Sequence, residues 1–281
     1  MTTTTFEPIT PNLGAHVHMS AKDILKGTHP EEILAALNHY GVLVFPQIGL
    51  PDETLVALTQ RLGEMEAAKA TDDGSGPSHL GIYRIALDKA DKSQREYVEG
   101  NDYWHMDGTS YDVPGKATLL KCENPPMSGG DTEFAHLFAA YDAMPADLKE
   151  QIEPLRVIHC LESVGRKLIS QPSATDLERW HKVFPPTEHP LVWHQSNGRT
   201  SLMIGSTAWE IVGMSKEAGQ KLLQDILDWC TQEQFTYRHQ WQKGDLVIWN
   251  NPGLLHRSHP YDETANRVMH RTTLKGTEAI Q

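Results

Sequence analysis

Two residue types that bind metal ions well lie two positions apart in residues 103–111, which read YWHMDGTSY. In an extended segment, the imidazole of His105 and the carboxylate of Asp107 would point to the same side and could share one cation. Chance alone produces such pairs, because 15 His and 37 acidic residues in 281 give roughly two H-x-[DE] triplets. The pair therefore indicates a metal site only if further ligands accompany it.

A second histidine would complete a triad of two histidines and one carboxylate. Such a facial triad leaves positions on the metal open and is diagnostic of non-haem Fe(II) oxygenases. The stretch WNNPGLLHRSHP offers two candidates shortly after an apolar run, His256 and His259. Their positions alone do not decide between them.

Two arginines lie four residues apart in NRVMHRTTL. On a predicted strand, Arg267 and Arg271 would face the same side, about 13 Å apart at roughly 3.3 Å per residue. Buried guanidinium groups need anions, and arginine suits the bidentate recognition of carboxylates. One arginine for a carboxylate cosubstrate and one for an anionic substrate would explain both. An outer face with two solvated arginines explains the spacing equally well.

The sequence around these residues predicts mainly short strands, with helices between them. A β-sandwich or barrel with surface helices fits this pattern better than a doubly wound parallel sheet. Strands are predicted over 42–45, 117–122, 201–205, 235–241 (with Phe235, Tyr237, His239 and Trp241 on one face), 246–250 and 266–274. Helices are predicted over 29–41, from Asp52 through Leu62, through Leu148, Ile152 and Leu155, and from Ser215 to about 232.

One long segment breaks this pattern. From about 67 to 101 the chain is polar and rich in Asp, Lys, Ser and Gly, with only GIYRIAL resembling a short strand. Long irregular segments within a compact domain commonly serve as lids or binding loops. We therefore expect one domain over 1–281, with an active-site lid at about 67–101.

Composition excludes several classes of protein. With 25 basic and 37 acidic residues the net charge is −12, which argues against nucleic-acid and anionic-membrane partners. The 3 cysteines form no C-x-x-C pair, which fits a reduced compartment. Neither a secretory signal nor an apolar run of about 20 residues is visible. We expect a cytoplasmic protein.

Several ordered motifs make the sequence resemble the Fe(II)/2-oxoglutarate-dependent dioxygenases of the taurine dioxygenase and 2,4-dichlorophenoxyacetate dioxygenase family. The resemblance covers nearly the whole chain and is carried by GVLVFPQ, WHMD, SGGDTEF, AYDAMPADL, FTYRHQWQKGDLVIWNN and RVMHRTTLKG. It implies a double-stranded β-helix (jelly-roll) core. It also implies the cofactor Fe(II), the cosubstrates 2-oxoglutarate and O2, and hydroxylation of a substrate C–H bond as 2-oxoglutarate becomes succinate and CO2.

The resemblance assigns roles to individual residues. It implies that His105, Asp107 and His256 are the iron ligands, which favours His256 over His259. Thr132 and Arg267 match the positions that bind the distal carboxylate of 2-oxoglutarate. Arg271 and Asn101 match positions on the side of the prime substrate. The carboxylate of Asp107 predicts hydroxylation, because relatives that halogenate carry a small residue there.

The chain departs from the family pattern in two places. The W-D-N-R before the distal histidine is here Trp249-Asn250-Asn251-Pro252, which loses a carboxylate and an arginine. The taurine enzyme has histidines after its second helix, where this chain has GEMEAAK. Taurine itself is therefore doubtful as the substrate, and SLMIGS with SGGDTEF favours the aryloxyalkanoate branch.

Other functions remain open. The favoured substrate is a small organic anion resembling an aryloxyalkanoate, a sulfonate or a sulfate ester; a different small carboxylic acid or amino-acid-derived metabolite is the alternative. A zinc hydrolase could use the same three ligands, and a non-catalytic barrel could bind an organic acid. We further expect a homo-oligomer, and no nucleic-acid or membrane partner.

Overall fold

A computed structural model describes residues 4–26, 30–67, 80–87 and 92–281. Its strands are β1 (Thr5–Pro8), β2 (Ala15–His18), β3 (Val42–Phe45), β4 (Tyr83–Ile85), β5 (Ala117–Asn124), β6 (Thr132–His136), β7 (Arg156–His159), β8 (Thr187–Pro190), β9 (Val192–His194), β10 (Thr200–Leu202), β11 (Ala208–Ile211), β12 (Thr236–His239), β13 (Leu246–Asn250), β14 (Leu254–Ser258) and β15 (Val268–Leu274). Its helices are α1 (Asp23–Lys26), α2 (Pro30–Tyr40), α3 (Asp52–Leu62), α4 (Lys92–Gly100), α5 (Leu137–Asp142), α6 (Ala146–Ile152), α7 (Leu161–Leu168), α8 (Ala174–Val183) and α9 (Lys216–Cys230). The protein is thus mainly β with surface helices, as the sequence predicts.

Two sheets enclose the region where the candidate residues lie. The larger has the strand order β1-β2-β3-β13-β5-β15-β4, and its pairs are antiparallel except β2 with β3. The smaller has the order β12-β6-β14 and is antiparallel throughout. Two further small sheets, β11-β7-β8 and β10-β9, lie outside this pair.

The two main sheets pack on one another through a buried apolar cluster. The ring of Phe134 on β6 lies 5.5 Å from the ring of Trp249 on β13. The larger sheet also contributes Val44, Leu120, Val247 and Met269 to this cluster. On its other face, alternate residues such as Leu119 pack against α2 and α3. Because both faces are covered, the strands VLVF and LVIWN are buried at every position.

Several elements form where the sequence predicts them. The strands over 42–45 and 246–250 and the helix over 52–62 have the predicted bounds, and α2 lies within the predicted 29–41. Ser215 caps α9, since its hydroxyl accepts the backbone N–H of Ala218 at 3.3 Å. Clear hydrophobic periodicity and local capping chemistry therefore sufficed for these elements.

Other predicted bounds are wrong. The helix predicted through Leu155 ends at Ile152, because Pro154 cannot continue it. The strand predicted over 235–241 is restricted to β12, since Phe235 belongs to a 3₁₀ turn. The strand predicted over 201–205 is the shorter β10. Arg267 precedes β15, whose register with β5 shifts between Val268 and Met269.

The segment predicted as an irregular lid over 67–101 contains regular structure. Residues 80–87 include β4, which pairs with β15, and residues 92–100 form α4. The sequence KSQREYVEG of α4 was not predicted as a helix because it has few apolar residues to reveal a period. Residues 68–79 and 88–91 of the predicted lid lie outside the described residues.

No helix within the described ranges has the length and apolar character needed to cross a membrane.

Candidate active site

His105 and His256 are held side by side by their own backbones. His256 lies on β14, and His105 forms an isolated antiparallel bridge with it. The N–H of His105 donates to the carbonyl of His256 at 3.0 Å, and the N–H of His256 donates back at 2.9 Å. The two imidazole centroids are 4.1 Å apart. Residues 103–107 were predicted to end an extended segment. In the structure only His105 pairs with a strand, through this single bridge, and Asp107 belongs to no strand.

Asp107 completes a cluster of three potential metal ligands. One carboxylate oxygen lies 3.9 Å from Nε2 of His105, and the other lies 3.8 Å from Nε2 of His256. One ligand atom from each residue falls within 4.8 Å of the others. Two imidazole nitrogens and one carboxylate form the donor set of non-haem Fe(II) sites, so these residues fit such a metal ion.

Hydrogen bonding at Nδ1 of His105 leaves Nε2 of the same ring available to bind a metal ion. Its Nδ1 is 2.8 Å from the carbonyl oxygen of Tyr103, so Nδ1–H donates and Nε2 keeps its lone pair for a metal. Nδ1 of His256 is buried and has no partner among the described residues. In both rings, Nε2 is the nitrogen that lies near the Asp107 carboxylate.

The cluster holds the charge states that metal binding requires. Burial, and then the neighbouring His105, lower the pKa of His256 to about 3, against the opposing effect of Asp107. Burial would raise the pKa of Asp107, but His256, Arg271, His105 and the Thr118 hydroxyl outweigh it and hold that pKa at about 2. Neutral imidazole and ionised carboxylate are the ligating forms.

Two glycines allow the backbone to take this course. Gly108 follows Asp107 with φ +86°, a left-handed conformation that disfavours other residues. Gly205, with φ +113°, lies beneath the histidine segment, where a Cβ would come within 2.9 Å of the Trp104 carbonyl and 3.1 Å of the His105 Cα. The N–H of Ser206 donates to that same carbonyl at 2.7 Å. The sequence motif SLMIGS gave no hint of this contact.

The cluster opens on a cavity of about 60 Å³. The cavity brings together six of the seven predicted site residues, while Asp107 lies beside it with a carboxylate oxygen near both histidines. Those six are Asn101, His105, Thr132, His256, Arg267 and Arg271. Lining residues that the sequence analysis did not single out include Ile85, Tyr97, Leu120, Trp249, Ser258 and Tyr261.

Arg267 is a buried cation suited to an anionic ligand. It is 6% exposed, burial lowers the pKa of its guanidinium, and its Nε has no partner among the described residues. A terminal nitrogen donates to the Gly130 carbonyl at 3.3 Å, and the guanidinium lies 5.0 Å from the Tyr261 ring centroid. The nearby Thr132 hydroxyl accepts from the indole N–H of Trp241 at 2.9 Å, which leaves its own proton free. This pair fits a carboxylate.

Arg271 lines the same cavity and lies beside the cluster of potential metal ligands. One terminal nitrogen of Arg271 donates to the Tyr97 hydroxyl at 3.2 Å, and the same nitrogen lies 3.8 Å from Oδ2 of Asp107. The Tyr83 ring centroid is 5.3 Å from the guanidinium. Burial acts against its charge, but Tyr97, Asp107 and Tyr83 raise the pKa of Arg271. Arg271 thus offers a second cation in the same cavity, and the outer-face interpretation of the two arginines is wrong.

His259, the rival of His256, points elsewhere. Its Nε2 lies 3.1 Å from a carboxylate oxygen of Glu133, which also pairs with Arg257. Geometry therefore places His256, and not His259, beside His105 and Asp107.

Asn101 borders the cavity just after α4, and its carbonyl accepts the N–H of Ser258 at 2.7 Å.

Both departures from the family pattern near His256 face away from the cavity. The Asn250 side chain donates to the side-chain oxygen of Asn38 at 3.3 Å, and the Pro252 carbonyl accepts from Gln195 at 3.2 Å. Neither Asn250 nor Pro252 lines the cavity. The lost carboxylate and arginine therefore do not alter the charge of the cavity wall.

A second group of potential metal ligands comprises Asp52, Glu123 and His270. The ammonium group of Lys121, 2% exposed, lies among them and bonds to Asp52, to Glu123 and to the Leu50 carbonyl. The positive charge that these carboxylates require is thus already supplied by the chain.

Comparison with known proteins gives matches over nearly the full chain. A family model described as "Taurine catabolism dioxygenase TauD, TfdA family" matches residues 5–273. The (S)-phenoxypropionate/alpha-ketoglutarate-dioxygenase of Sphingobium herbicidovorans is 34% identical over 254 residues, which are 89% of this chain and 87% of that protein. The alpha-ketoglutarate-dependent 2,4-dichlorophenoxyacetate dioxygenase of Cupriavidus pinatubonensis is 34% identical over 277 residues, 95% of this chain and 96% of that protein.

A solved structure resembles the fold over its full length. The crystal structure of AAD-2 in complex with Mn(II) and N-oxalylglycine matches with a TM-score of 0.81 and 28% identity, covering 99% of this chain and 100% of that one.

Proposed function

The chain belongs to the TauD, TfdA family of dioxygenases, and on that premise we propose that it hydroxylates a C–H bond of a small organic anion with Fe(II), 2-oxoglutarate and O2. 2-Oxoglutarate is decarboxylated to succinate and CO2 in the same turnover. One observation carries the proposal: a cluster of two histidines and one carboxylate opens on a cavity that also contains the buried cation Arg267 and the partly exposed cation Arg271.

The three cluster residues would hold the iron. His105 and His256 would each offer Nε2, and Asp107 a carboxylate oxygen, which leaves further positions for 2-oxoglutarate and O2. When bound, the iron supplies activation of O2 for attack on an unreactive C–H bond. The contribution of the chain is to hold the two imidazole rings and the carboxylate in place.

Arg267 and Thr132 would bind the distal carboxylate of 2-oxoglutarate. A buried guanidinium with an unpaired Nε gains most from a charged acceptor, and the free Thr132 proton adds a second donor. N-oxalylglycine, bound by the related AAD-2, differs from 2-oxoglutarate only by an N–H in place of a methylene group. That relative supports 2-oxoglutarate as the cosubstrate.

Arg271 and Asn101 would receive the prime substrate. We favour an aryloxyalkanoate, a sulfonate or a sulfate ester, because Arg271 offers a cation beside the aromatic rings of Tyr83 and Tyr97. Hydroxylation at a carbon that carries an ether or ester oxygen gives a product that breaks down to a carbonyl compound. A different small carboxylic acid remains the second choice.

The fold proposed for this chemistry is a double-stranded β-helix, or jelly roll, in one domain over 1–281. The two facing sheets, β12-β6-β14 and the larger one, support it. We also propose that the segment at 67–101 acts as the lid, since α4 and β4 carry Tyr97 and Tyr83 beside Arg271. A lid would exclude water during reaction.

The setting of the protein is also proposed. Buried free cysteines, at 122, 160 and 230, fit a cytoplasmic enzyme. The acidic net charge of −12 supports the absence of nucleic-acid and membrane partners. The homo-oligomer remains a prediction, which sedimentation equilibrium would check.

The test is succinate formation by protein reconstituted without oxygen with Fe(II) and 2-oxoglutarate. After O2 is added, we expect succinate to rise with one class among aryloxyalkanoates, alkylsulfonates and sulfate esters. A zinc hydrolase would instead act without 2-oxoglutarate and O2. A binding barrel would form no succinate with any compound. Either result would contradict the proposal.

A further inference from the structure

We infer that the Thr118 hydroxyl, itself held by Asn251, orients the Asp107 carboxylate toward the metal position. Thr118 and Asn251 are then positioning residues, which act on the iron through Asp107. The inference deepens the proposed function and rests on it.

Asp107 needs an external support because its own backbone provides little. It follows the single bridge of His105, belongs to no strand, and precedes Gly108 in a left-handed conformation. The orientation of an aspartate carboxyl group about its last torsion is broad in the absence of partners. Thr118, fully buried on β5, which has a partner strand on each side, places its hydroxyl oxygen 3.3 Å from Asp107 Oδ2.

Donor and acceptor counting fixes the direction of the network. The Thr118 oxygen lies 3.1 Å from Nδ2 and 3.2 Å from Oδ1 of Asn251. Threonine has one proton to donate, and the ionised carboxylate of Asp107 is a stronger acceptor than an amide oxygen. The Asn251 amide N–H therefore donates to Thr118, and Thr118 donates to Asp107.

Asn251 is itself rigidly placed. It is 1% exposed, and its backbone N–H donates to the Lys116 carbonyl at 3.2 Å. It begins the 3₁₀ turn Asn251–Gly253, which leads directly into β14 and His256. The network therefore ties the carboxylate ligand to the strand that carries the distal histidine.

The Thr118 hydrogen bond matters because the Arg271 guanidinium competes for the same carboxylate oxygen of Asp107. Asp107 Oδ2, the oxygen that Thr118 holds, faces both Nε2 of His256 and a terminal nitrogen of Arg271, each at 3.8 Å. Without the hydroxyl, the carboxylate would be free to turn toward the guanidinium and away from the two imidazoles. Loss of one supporting partner of a metal ligand typically weakens metal binding by roughly 10- to 100-fold.

The test is the affinity of the metal-free protein for Co(II) alone, followed by the absorption of the bound ion. Thr118→Val keeps the shape but removes the hydroxyl, and we expect it to weaken Co(II) binding by roughly 10- to 100-fold. Thr118→Ser keeps the hydroxyl and should retain wild-type affinity and absorption. Thr59→Val is the matched control, because Thr59 is equally buried and hydrogen-bonded to Leu55 and Thr272. Urea unfolding separates stability from binding in each variant.

Asn251→Ala tests the second link. It should weaken Co(II) binding less than Thr118→Val, and it should add nothing further in the double variant, since Asn251 acts through Thr118. With saturating metal, the KM for 2-oxoglutarate should stay unchanged in Thr118→Val, because Arg267 and Thr132 are untouched.

The outcomes separate the inference from the proposed function. Wild-type affinity in Thr118→Val overturns the inference, and so does an equal loss in Thr59→Val. If Thr118→Val does not fold, a loss in Asn251→Ala that Thr118→Ser does not share supports the inference, and wild-type affinity in Asn251→Ala overturns it. A wild-type protein that binds no Co(II) overturns the proposed function as well.

Discussion

The two arginines of the cavity differ in their surroundings, and that difference assigns them different ligands. Arg267 is buried and contacts the Tyr261 side chain and the Gly130 carbonyl, whereas Arg271 is partly exposed and contacts the Asp107 carboxylate and the Tyr97 hydroxyl. The more isolated cation gains most from a permanent partner such as the cosubstrate. The other can exchange partners as substrates come and go.

Substitution of each arginine should therefore affect a different kinetic parameter. We expect Arg267→Ala to raise the KM for 2-oxoglutarate by about two orders of magnitude or more, equivalent to roughly 3 kcal/mol of lost charge pairing. Arg271→Ala should leave 2-oxoglutarate binding intact and raise the KM for the prime substrate. Steady-state kinetics with each compound varied in turn checks both.

Arg267→Lys and Arg271→Lys are the controls, since each keeps the charge but loses the planar fork of donors. An Arg271→Ala variant with unchanged affinity for the prime substrate would contradict an anionic substrate at this position.

At the scale of elements, the sequence predicted those parts of the site that depend on residue type. The pair His105 and Asp107, the strand before His256 and the two arginines were visible as residue types at given separations, whereas the choice of His256 over His259 came from the resemblance to the family. The contacts of Thr118, Gly205 and α4 were not, because a threonine in an apolar strand, a glycine in a loop and a polar helix carry no distinctive local pattern. Those contacts arise only when distant segments meet.

Gly205 should tolerate no side chain. Gly205→Ala places a methyl group against the Trp104 carbonyl and the His105 backbone, so we expect a loss of Co(II) affinity of tenfold or more together with lower stability. Gly198→Ala is the matched control, because it has φ +80° and its Cβ would meet no described atom within 4 Å. That control should cost only about 1 kcal/mol of backbone strain and leave metal binding unchanged.

His136, at the junction of β6 and α5, should make folding sensitive to acid. Burial lowers its pKa from 6.5 to about 4, while Nδ1–H donates to the Asn12 carbonyl at 2.7 Å. Above pH 6.5 the ring is neutral in both states and its contribution is complete. As the pH falls toward 4, the unfolded chain takes up the proton first, and about 3 kcal/mol of stability is lost.

His136→Asn checks this effect, since the amide N–H can replace Nδ1–H but does not titrate. Urea unfolding measured from pH 7.5 to 4.5 should show a shallower loss of stability in the variant. Equal slopes for the two proteins would contradict the assignment to His136.

For the whole molecule, the net charge and the charged side chains that line the cavity have opposite signs. The chain carries a net charge of −12, yet its cavity contains two guanidinium groups. Net charge therefore describes solubility and partners at the surface, whereas the chemistry of the ligand follows from the few residues that line the cavity.

Ligands that join the two sheets should stabilise the fold. We expect Fe(II) and 2-oxoglutarate, without oxygen, each to raise the unfolding free energy by about 2.7 kcal/mol at 100 times its Kd, and the two together by about 5.4 kcal/mol. A chelator should reverse the gain. Thermal unfolding with and without ligands measures this gain in stability. The variant His256→Ala should be stabilised little or not at all by the metal. A stabilisation equal to that of the wild-type protein would contradict the assignment of His256.

The backbone bridge between His105 and His256 joins residues separated by more than half of the chain. During synthesis on the ribosome, the first histidine and the aspartate emerge many seconds before the second histidine, at about 5–20 residues per second. The nascent chain therefore lacks one of the three metal ligands, His256, and binds a metal ion only weakly. Iron must be acquired after β14 has left the ribosome, from whatever metal pool the finished protein meets.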